Sequence, residues 1–395
     1  MCETLNEPMS PNAVAPSRFT VDGGEQLEQH LARICAEVCA GVQEIVPPEL
    51  LDGLLLGGGY GRGEGGVLKT RDGERPYNDM EFYVFVNGST IIAEKRFRAA
   101  LRKLGHDLEP YAGLEVEFKI VNRRTLEKSA TTMFFYDLVC GHSRIFGNAD
   151  LLDGADHQRR GESIPLHEAT RLLMNRCSGL LFSAERLERP LFTAEDSDFV
   201  GRNCAKAELA LGDAVLVAYG LYHHSVRVRS NTLEHLNADS VVPQFDEVVL
   251  LHRRGTEFKL HPLCSRESRE VLQARLDSLR TIARDVFLWL EGRRLGQSFT
   301  STRTYAMSEI DKCPETPAWR NSLVNIRAFG LQAISSQPFR YPRRRLLETL
   351  PLLLWQPNLV HDSKVSSHLA PRLQKRFSDF ASAVAAYTEL WHRFQ

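Results

Sequence analysis

The 395-residue chain lacks the short motifs that identify several enzyme classes. It has no Gly-x-Ser-x-Gly of the α/β-hydrolases, no His-Glu-x-x-His of zinc peptidases and no phosphate-binding P-loop. Its eight cysteines are scattered and include no Cys-x-x-Cys pair. This spacing favours free thiols in a reducing compartment over a zinc site or a disulfide framework.

The sequence also lacks a strong charge of either sign and a long apolar run. The formal net charge is -1, so no global field favours nucleic acid or an anionic membrane. No segment approaches the roughly 18 apolar residues of a membrane-spanning helix. Residues 1–20 are polar and proline-rich without the apolar core of a signal peptide, which predicts a disordered tail. Together these features predict a cytoplasmic protein without a membrane partner.

Hydrophobic periodicity predicts an N-terminal α/β part and a mostly helical remainder. Apolar residues recur every three or four positions from Leu27 to Ile45, which predicts a helix that ends at Pro47. The apolar runs 54–56 and 82–86 and the alternating segment 114–121 predict strands. Residues 93–104 predict a helix closed by Gly105. Further helices are expected over 124–139 and 198–220.

Two carboxylates interrupt a strand that is otherwise apolar. Asp79 and Glu81 are two positions apart, so their side chains leave the same face of the strand, with Cα atoms about 6.5 Å apart. Adjacent anions on a largely buried strand repel each other and lose hydration, so a positive charge is expected between them. Mg²⁺ suits this role because it prefers carboxylate oxygens. The polar face of 114–121 offers a third acid, Glu117, with Glu115 as the alternative.

A glycine turn precedes the acidic strand. Gly58 and Gly59 can adopt positive φ and allow the backbone to approach a ligand closely. Successive amides in such a turn can bind an anion. A glycine turn before one strand and acids on the next suit a magnesium-bound triphosphate. The alternative is an edge strand with a solvated acidic face beside an ordinary glycine loop.

The segments GGYGRGE at 58–64 and PYNDMEF at 76–82 resemble the nucleotidyltransferase superfamily, whose fold is that of DNA polymerase β. The first segment is most similar to uridylyltransferases that modify a nitrogen-regulatory signal protein. The second is closer to kanamycin nucleotidyltransferase. The resemblance covers residues 50 to about 121. The segment 67–78 makes the gap between the glycines and the first acid longer than is usual in the family, and we expect it to form a loop at the rim of the site.

The resemblance implies a reaction and a set of site residues. Asp79, Glu81 and Glu117 would bind Mg²⁺ or Mn²⁺ and act as the catalytic acids, and Gly58 and Gly59 would contact the phosphates. A nucleoside triphosphate, such as ATP, would donate its nucleotidyl group to a small-molecule or protein acceptor, and pyrophosphate would leave. Neither the base nor the acceptor is specified by these motifs. The alternative is a nucleotide-binding or scaffold protein without catalytic activity, and a third possibility is an RNA-end modifier, against which the near-neutral charge weighs.

Several cationic side chains could hold the phosphates. Lys206 is the preferred candidate, on a helix face shared with Arg202 and Asp213, with an ordinary solvated helix face as the alternative. Arg62 in the glycine turn could contact phosphate or pair with Glu64. Weaker candidates, for which surface or capping roles are expected, are Arg171, Asn175, Arg176, the pair His223-His224 and the basic segment 340–345.

The sequence therefore predicts an α+β fold in four parts. Residues 1–20 form the tail and 21–155 a nucleotidyltransferase catalytic domain. Residues 156–235 form a helical bundle that completes the nucleotide cleft, and 260–395 form a C-terminal helical domain.

Overall fold

The computed structural model describes residues 18–238, 240–330 and 339–394. The chain divides into two compact units. Unit 1 contains the residues up to 164 together with 220–229 and 256–263, and unit 2 contains 165–219, 230–255 and the residues from 264 onward. The predicted mixed α+β class, with a small sheet in the N-terminal half and a helical C-terminal region, is confirmed.

Unit 1 holds the sheet. Its helices are α1 (Glu25–Ile45), α2 (Gly58–Gly61), α3 (Thr90–Ala112), α4 (Arg123–Lys128) and α5 (Met133–Cys140), and its strands are β1 (Leu51–Leu56), β2 (Gly66–Thr70), β3 (Gly73–Tyr77), β4 (Asp79–Val86), β5 (Glu115–Val121) and β6 (Ser143–Gly147). Short 3₁₀ helices follow at Ala149–Leu152, Asp156–Arg159 and Gly161–Ser163.

The later helices are α6 (Leu166–Glu188), α7 (Ala194–Ala218), α8 (Val226–Glu234), α9 (Phe245–Leu260), α10 (Arg269–Leu295), α11 (Thr302–Met307), α12 (Ala318–Phe329), α13 (Arg344–Trp355), α14 (Ser363–Leu373) and α15 (Phe380–Phe394), with a 3₁₀ helix at Pro357–His361. In unit 2, α6 packs against α7, α10 and α13. The segments 156–235 and 260–395, expected as separate parts, therefore place most of their residues in one unit. Among the described residues, no helix combines the length and the apolar character needed to cross a bilayer.

The main sheet has the strand order β5-β4-β1-β6. Strand β4 runs parallel to β5 and antiparallel to β1. Because side chains alternate between faces, Met80, Phe82 and Val84 enter the core with α1 and α3, whereas Tyr83 and Phe85 enter a second core on the opposite face. Residues 79 and 81 therefore share this second face.

Three local predictions need correction. Residues 67–78 were expected to form a loop, but most of them belong to the hairpin of β2 and β3, in which Thr70 pairs with Gly73. The helix expected over 124–139 is divided into α4 and α5. Of the expected tail, residues 1–17 lie outside the described residues, whereas Phe19 and Thr20 are buried, so the packed chain begins before residue 21.

The helix predicted over 93–104 corresponds to α3, and its predicted end at Gly105 is wrong. Helix α3 continues to Ala112, and Gly113, with φ 74°, forms its C-cap. Gly105 is buried inside the helix, where a Cβ atom would lie 2.3 Å from the Val116 carbonyl oxygen. This glycine lets α3 approach the backbone of β5 closely.

Gly105→Ala is expected to lower the free energy of unfolding by about 1 kcal/mol or more, because the new methyl group meets a backbone atom that cannot rotate away. Helix propensity alone would raise stability by about 1 kcal/mol, so the two effects have opposite signs. Urea unfolding of the variant and the wild type measures the difference. An increase in stability would show that α3 and β5 are not in close contact at this position.

Candidate metal site

The three predicted acids come together at one end of β4 and β5. One carboxylate oxygen from each of Asp79, Glu81 and Glu117 lies within 4.8 Å of the others. The parallel register explains this, because Glu81 pairs with Glu117. Glu115 pairs with Asp79 but is exposed and is not part of the cluster, so the geometry favours Glu117 as the third acid. All three clustered acids are partly buried.

Lys119 is a further member of the site and was not among the predicted site residues. Its Nζ lies 2.6 Å from Glu81 Oε1 and 3.9 Å from Glu117 Oε2. The ammonium also lies 5.7 Å from the ring centroid of Tyr83 and 5.6 Å from that of Phe134. A positive charge was expected between the acids, and in this structure a lysine supplies it. The alternation of 114–121 already predicted that Lys119 lies on the same face of the strand as Glu117. This shared face is the sequence feature from which its place in the site could have been predicted.

The glycine turn lies directly against the acids. The Gly57 amide donates a hydrogen bond of 2.9 Å to the Glu81 carbonyl oxygen. Gly58 has φ 61°, and a Cβ atom there would lie 3.0 Å from Glu81 Oε2. Gly59 instead packs on the backbone of Glu64. Gly58 therefore keeps space open beside the acids, whereas Gly59 allows the turn itself to close.

Burial raises the pKa of Glu117 above its ordinary value. The Lys119 ammonium opposes this shift, and the neighbouring carboxylates of Glu115 and Glu81 add to it. A carboxyl group that shares its surroundings with other acids holds its proton more tightly. The carboxylate that would complete a metal site is therefore also one for which protons compete more strongly than for an ordinary glutamate.

Mn²⁺ binding is therefore expected to weaken as the pH falls through the raised pKa of Glu117, by up to about tenfold per pH unit below it, because the protonated carboxyl cannot serve as an anionic ligand. Titrations of Mn²⁺ at a series of pH values measure this slope. Glu117→Gln should bind Mn²⁺ more weakly at neutral pH and show a shallower pH dependence. An equal slope in the variant would assign the titration to another group.

Arg62 forms internal ion pairs in unit 1. Its side chain is 7% exposed, with Nε 4.0 Å from Glu64 Oε2 and Nη1 3.8 Å from Asp137 Oδ2. Glu64 also accepts hydrogen bonds from the Ser225 hydroxyl and the Val226 amide. This arrangement agrees with the alternative reading of Arg62 as a partner of Glu64, and it ties the glycine turn to residues 225–226.

Lys206 lies on α7 in unit 2, whereas the acids lie in unit 1. Its contact with phosphate stays a prediction. The neighbouring residues on that helix face have protein partners, since Arg202 Nε lies 2.8 Å from Asp198 Oδ2 and the buried Asp213 lies 3.0 Å from His252. The face that holds Asp213 is therefore not a simple solvated surface.

The weaker candidates have structural contacts of their own. Arg171 pairs with Glu168 at 2.6 Å. His223 and His224 follow α7 rather than ending it, and their half-buried rings lie 4.1 Å apart. The expectation of a solvated turn at 340–345 is wrong for Arg344 and Arg345, which are buried on α13.

Comparison with known proteins adds no assignment to this geometry, because no protein-family model and no curated protein matches the chain. The roles of the site residues follow from their chemistry and placement.

Proposed function

We propose that the protein is a Mg²⁺- or Mn²⁺-dependent nucleotidyltransferase that moves a nucleoside monophosphate from a nucleoside triphosphate to an acceptor and releases pyrophosphate. The observation that carries the proposal is the cluster of Asp79, Glu81 and Glu117, with carboxylate oxygens within 4.8 Å of one another beside a glycine turn. The same residues carry the resemblance to the nucleotidyltransferase superfamily. The acceptor is a small molecule or a protein.

The donor set fits a hard divalent cation. Three carboxylates from two adjacent strands offer oxygen ligands at one point, and Mg²⁺ and Mn²⁺ both favour such ligands. A metal bound there would polarise the phosphate and neutralise charge on the attacking and leaving oxygens. Gly58 lies directly against this donor set, since a Cβ atom there would meet Glu81 Oε2 at 3.0 Å, and we expect the phosphates to approach along the glycine turn.

Glu117 and Lys119 have further roles in this proposal. A carboxylate positioned at the metal can accept the proton of an acceptor hydroxyl, and we assign this role to Glu117. Lys119 is partly exposed on a flexible stem. Its ammonium stabilises the acids when no cation is bound, and we expect it to move toward the nucleotide phosphates when the acids bind a metal.

One observation favours a second candidate function, a nucleotide-binding or scaffold protein that transfers nothing. Lys119 already neutralises part of the acidic cluster, so the three acids do not require a metal to be stable. On this reading the lysine stays with the acids permanently, and nucleotide binding, if present, does not depend on a divalent cation.

Incubation with each α-³²P-labelled nucleoside triphosphate, Mg²⁺ or Mn²⁺, and a cell extract distinguishes these functions. The proposal expects label to move to an acceptor in a metal-dependent reaction. Protease treatment of the labelled product then separates a protein acceptor from a small molecule. Equal labelling by the wild type and by Asp79→Ala would contradict the proposal.

A further inference from the structure

Strand β5 is an edge of the main sheet. Within the described residues it pairs only with β4, so its other side presents backbone amides and carbonyls without a neighbouring strand. A groove of about 700 Å³ follows this edge between β5 and α3. Its apolar lining includes the half-buried Phe118 and Ile120, and its charged lining includes Arg98, Arg102 and Glu117. Such an edge can accept another strand.

The sequence of β5 is complementary to itself. Apolar, acidic, apolar, basic and apolar residues follow one another from Val116 to Ile120. Two copies that run antiparallel about a two-fold axis at Phe118 place each Glu117 opposite Lys119 of the second copy. Val116 then lies opposite the second Ile120, and the two Phe118 side chains meet. Directly opposite residues share one face of the sheet, so the charged pairs and the apolar pairs stay on separate faces.

This register has more favourable charge pairs than the two neighbouring registers in which the charged side chains of both copies also lie on one face of the joined sheet. Pairing centred on Glu117 places two glutamates opposite each other, and pairing centred on Lys119 places two lysines opposite each other. Like charges in direct opposition destabilise a strand pair, whereas opposite charges and aromatic pairs each contribute about 0.2–1 kcal/mol. Only the register centred on Phe118 gives two Glu–Lys pairs without a repulsive pair.

We propose that β5 is a homodimer interface, in which two copies of the chain pair antiparallel about Phe118 and join their four-stranded sheets. The occupant is a second copy because the charges of the strand complement those of the same strand reversed. The two-fold axis is perpendicular to the sheet, so both metal sites lie on one face. Lys119 of each copy then lies beside Glu117 of the other, and the partner contributes a cation to the site. The dimer does not depend on the catalytic activity proposed above.

Cysteine crosslinking tests the position of the two-fold axis. Phe118→Cys in a Cys2→Ser/Cys264→Ser background should give a covalent dimer with a short bismaleimide linker; the background removes the thiol that is exposed among the described residues and the one at position 2, outside them. Leu191→Cys, at a position 75% exposed in unit 2, is the control and should stay monomeric. Circular dichroism verifies that both variants fold. Equal crosslinking of both variants, or none with Phe118→Cys, would overturn the proposal.

A charge-reversal series tests the register without relying on Phe118. Sedimentation velocity of the wild type should show a monomer–dimer equilibrium that depends on concentration. Glu117→Lys and Lys119→Glu should each weaken dimerisation at least tenfold, and the double variant should recover most of it. A wild type that stays monomeric at every concentration would contradict the proposal and leave the edge to another partner or to solvent. Mn²⁺ titration of the same samples reports separately on the metal site.

Discussion

Asp79→Asn is expected to lower nucleotidyl transfer by about a thousandfold or more while the protein stays folded. The substitution keeps the size of the side chain but removes one of three negative charges, and charge stabilisation of the transferring phosphate is usually a large catalytic contribution. The side chain is only partly buried, so the loss of its charge should cost little stability. The transfer rate is measured with the labelled nucleotide and acceptor identified in the extract assay.

Asp72→Asn is the matched control for this prediction. It makes the same chemical change in the hairpin between the glycine turn and the acids, where the Asp72 side chain is 82% exposed. The control should retain nearly full transfer. If Asp79→Asn retains transfer as well as the control does, the catalytic centre lies elsewhere or the labelling comes from another protein.

Glu348→Ala is expected to destabilise the protein by about 3–5 kcal/mol. The Glu348 carboxylate is buried on α13, with Arg372 Nε at 2.5 Å, Arg344 Nη1 at 3.3 Å and Lys312 Nζ at 3.9 Å. Its removal leaves buried cations without their counter-charge. Burial already lowers the pKa of Lys312 to about 8, a shift that Glu348 opposes, so loss of the carboxylate should make this lysine release its proton more readily.

Urea unfolding measures the loss of stability in Glu348→Ala, and a variant of an exposed ion pair serves as the control. Glu389→Ala removes the partner of Lys375, and both side chains of that pair are more than half exposed. Exposed pairs contribute at most about 1 kcal/mol, so this control should unfold almost as the wild type does. Similar stability losses in the two variants would mean that Glu348 is accessible to water rather than buried among cations.

The parts of the fold that could be predicted depend on local periodicity. The alternation of 114–121 gave the strand that holds Glu117, and the spacing of Asp79 and Glu81 placed both on one face. The hairpin at 66–77 also had a local signal, since Asp72-Gly73 is a strong hairpin indicator; in the structure Arg71 and Asp72 form the turn, and Gly73, with φ 116°, begins β3.

Other features could not be predicted because they depend on distant segments. Gly105 resembles a helix end in sequence, and only its contact with β5 shows why a glycine is needed within the helix. Arg344 precedes Glu348 by four residues, which suggests a helical pair, but no local pattern shows that Lys312 and Arg372 from other segments pair with the same carboxylate. Lys119 is different, since its face was predictable and only its role was missed.

Titration of Mn²⁺ into the purified protein, followed by the electron paramagnetic resonance signal of free Mn²⁺, tests the central claim most directly. We predict that the wild type removes Mn²⁺ from solution and that Glu81→Gln binds it at least about 100-fold more weakly, since loss of even an outer-shell partner costs 10–100-fold. If the wild type and Glu81→Gln leave the same amount of free Mn²⁺ at every concentration, the acids are neutralised by Lys119 alone and the metal site does not exist.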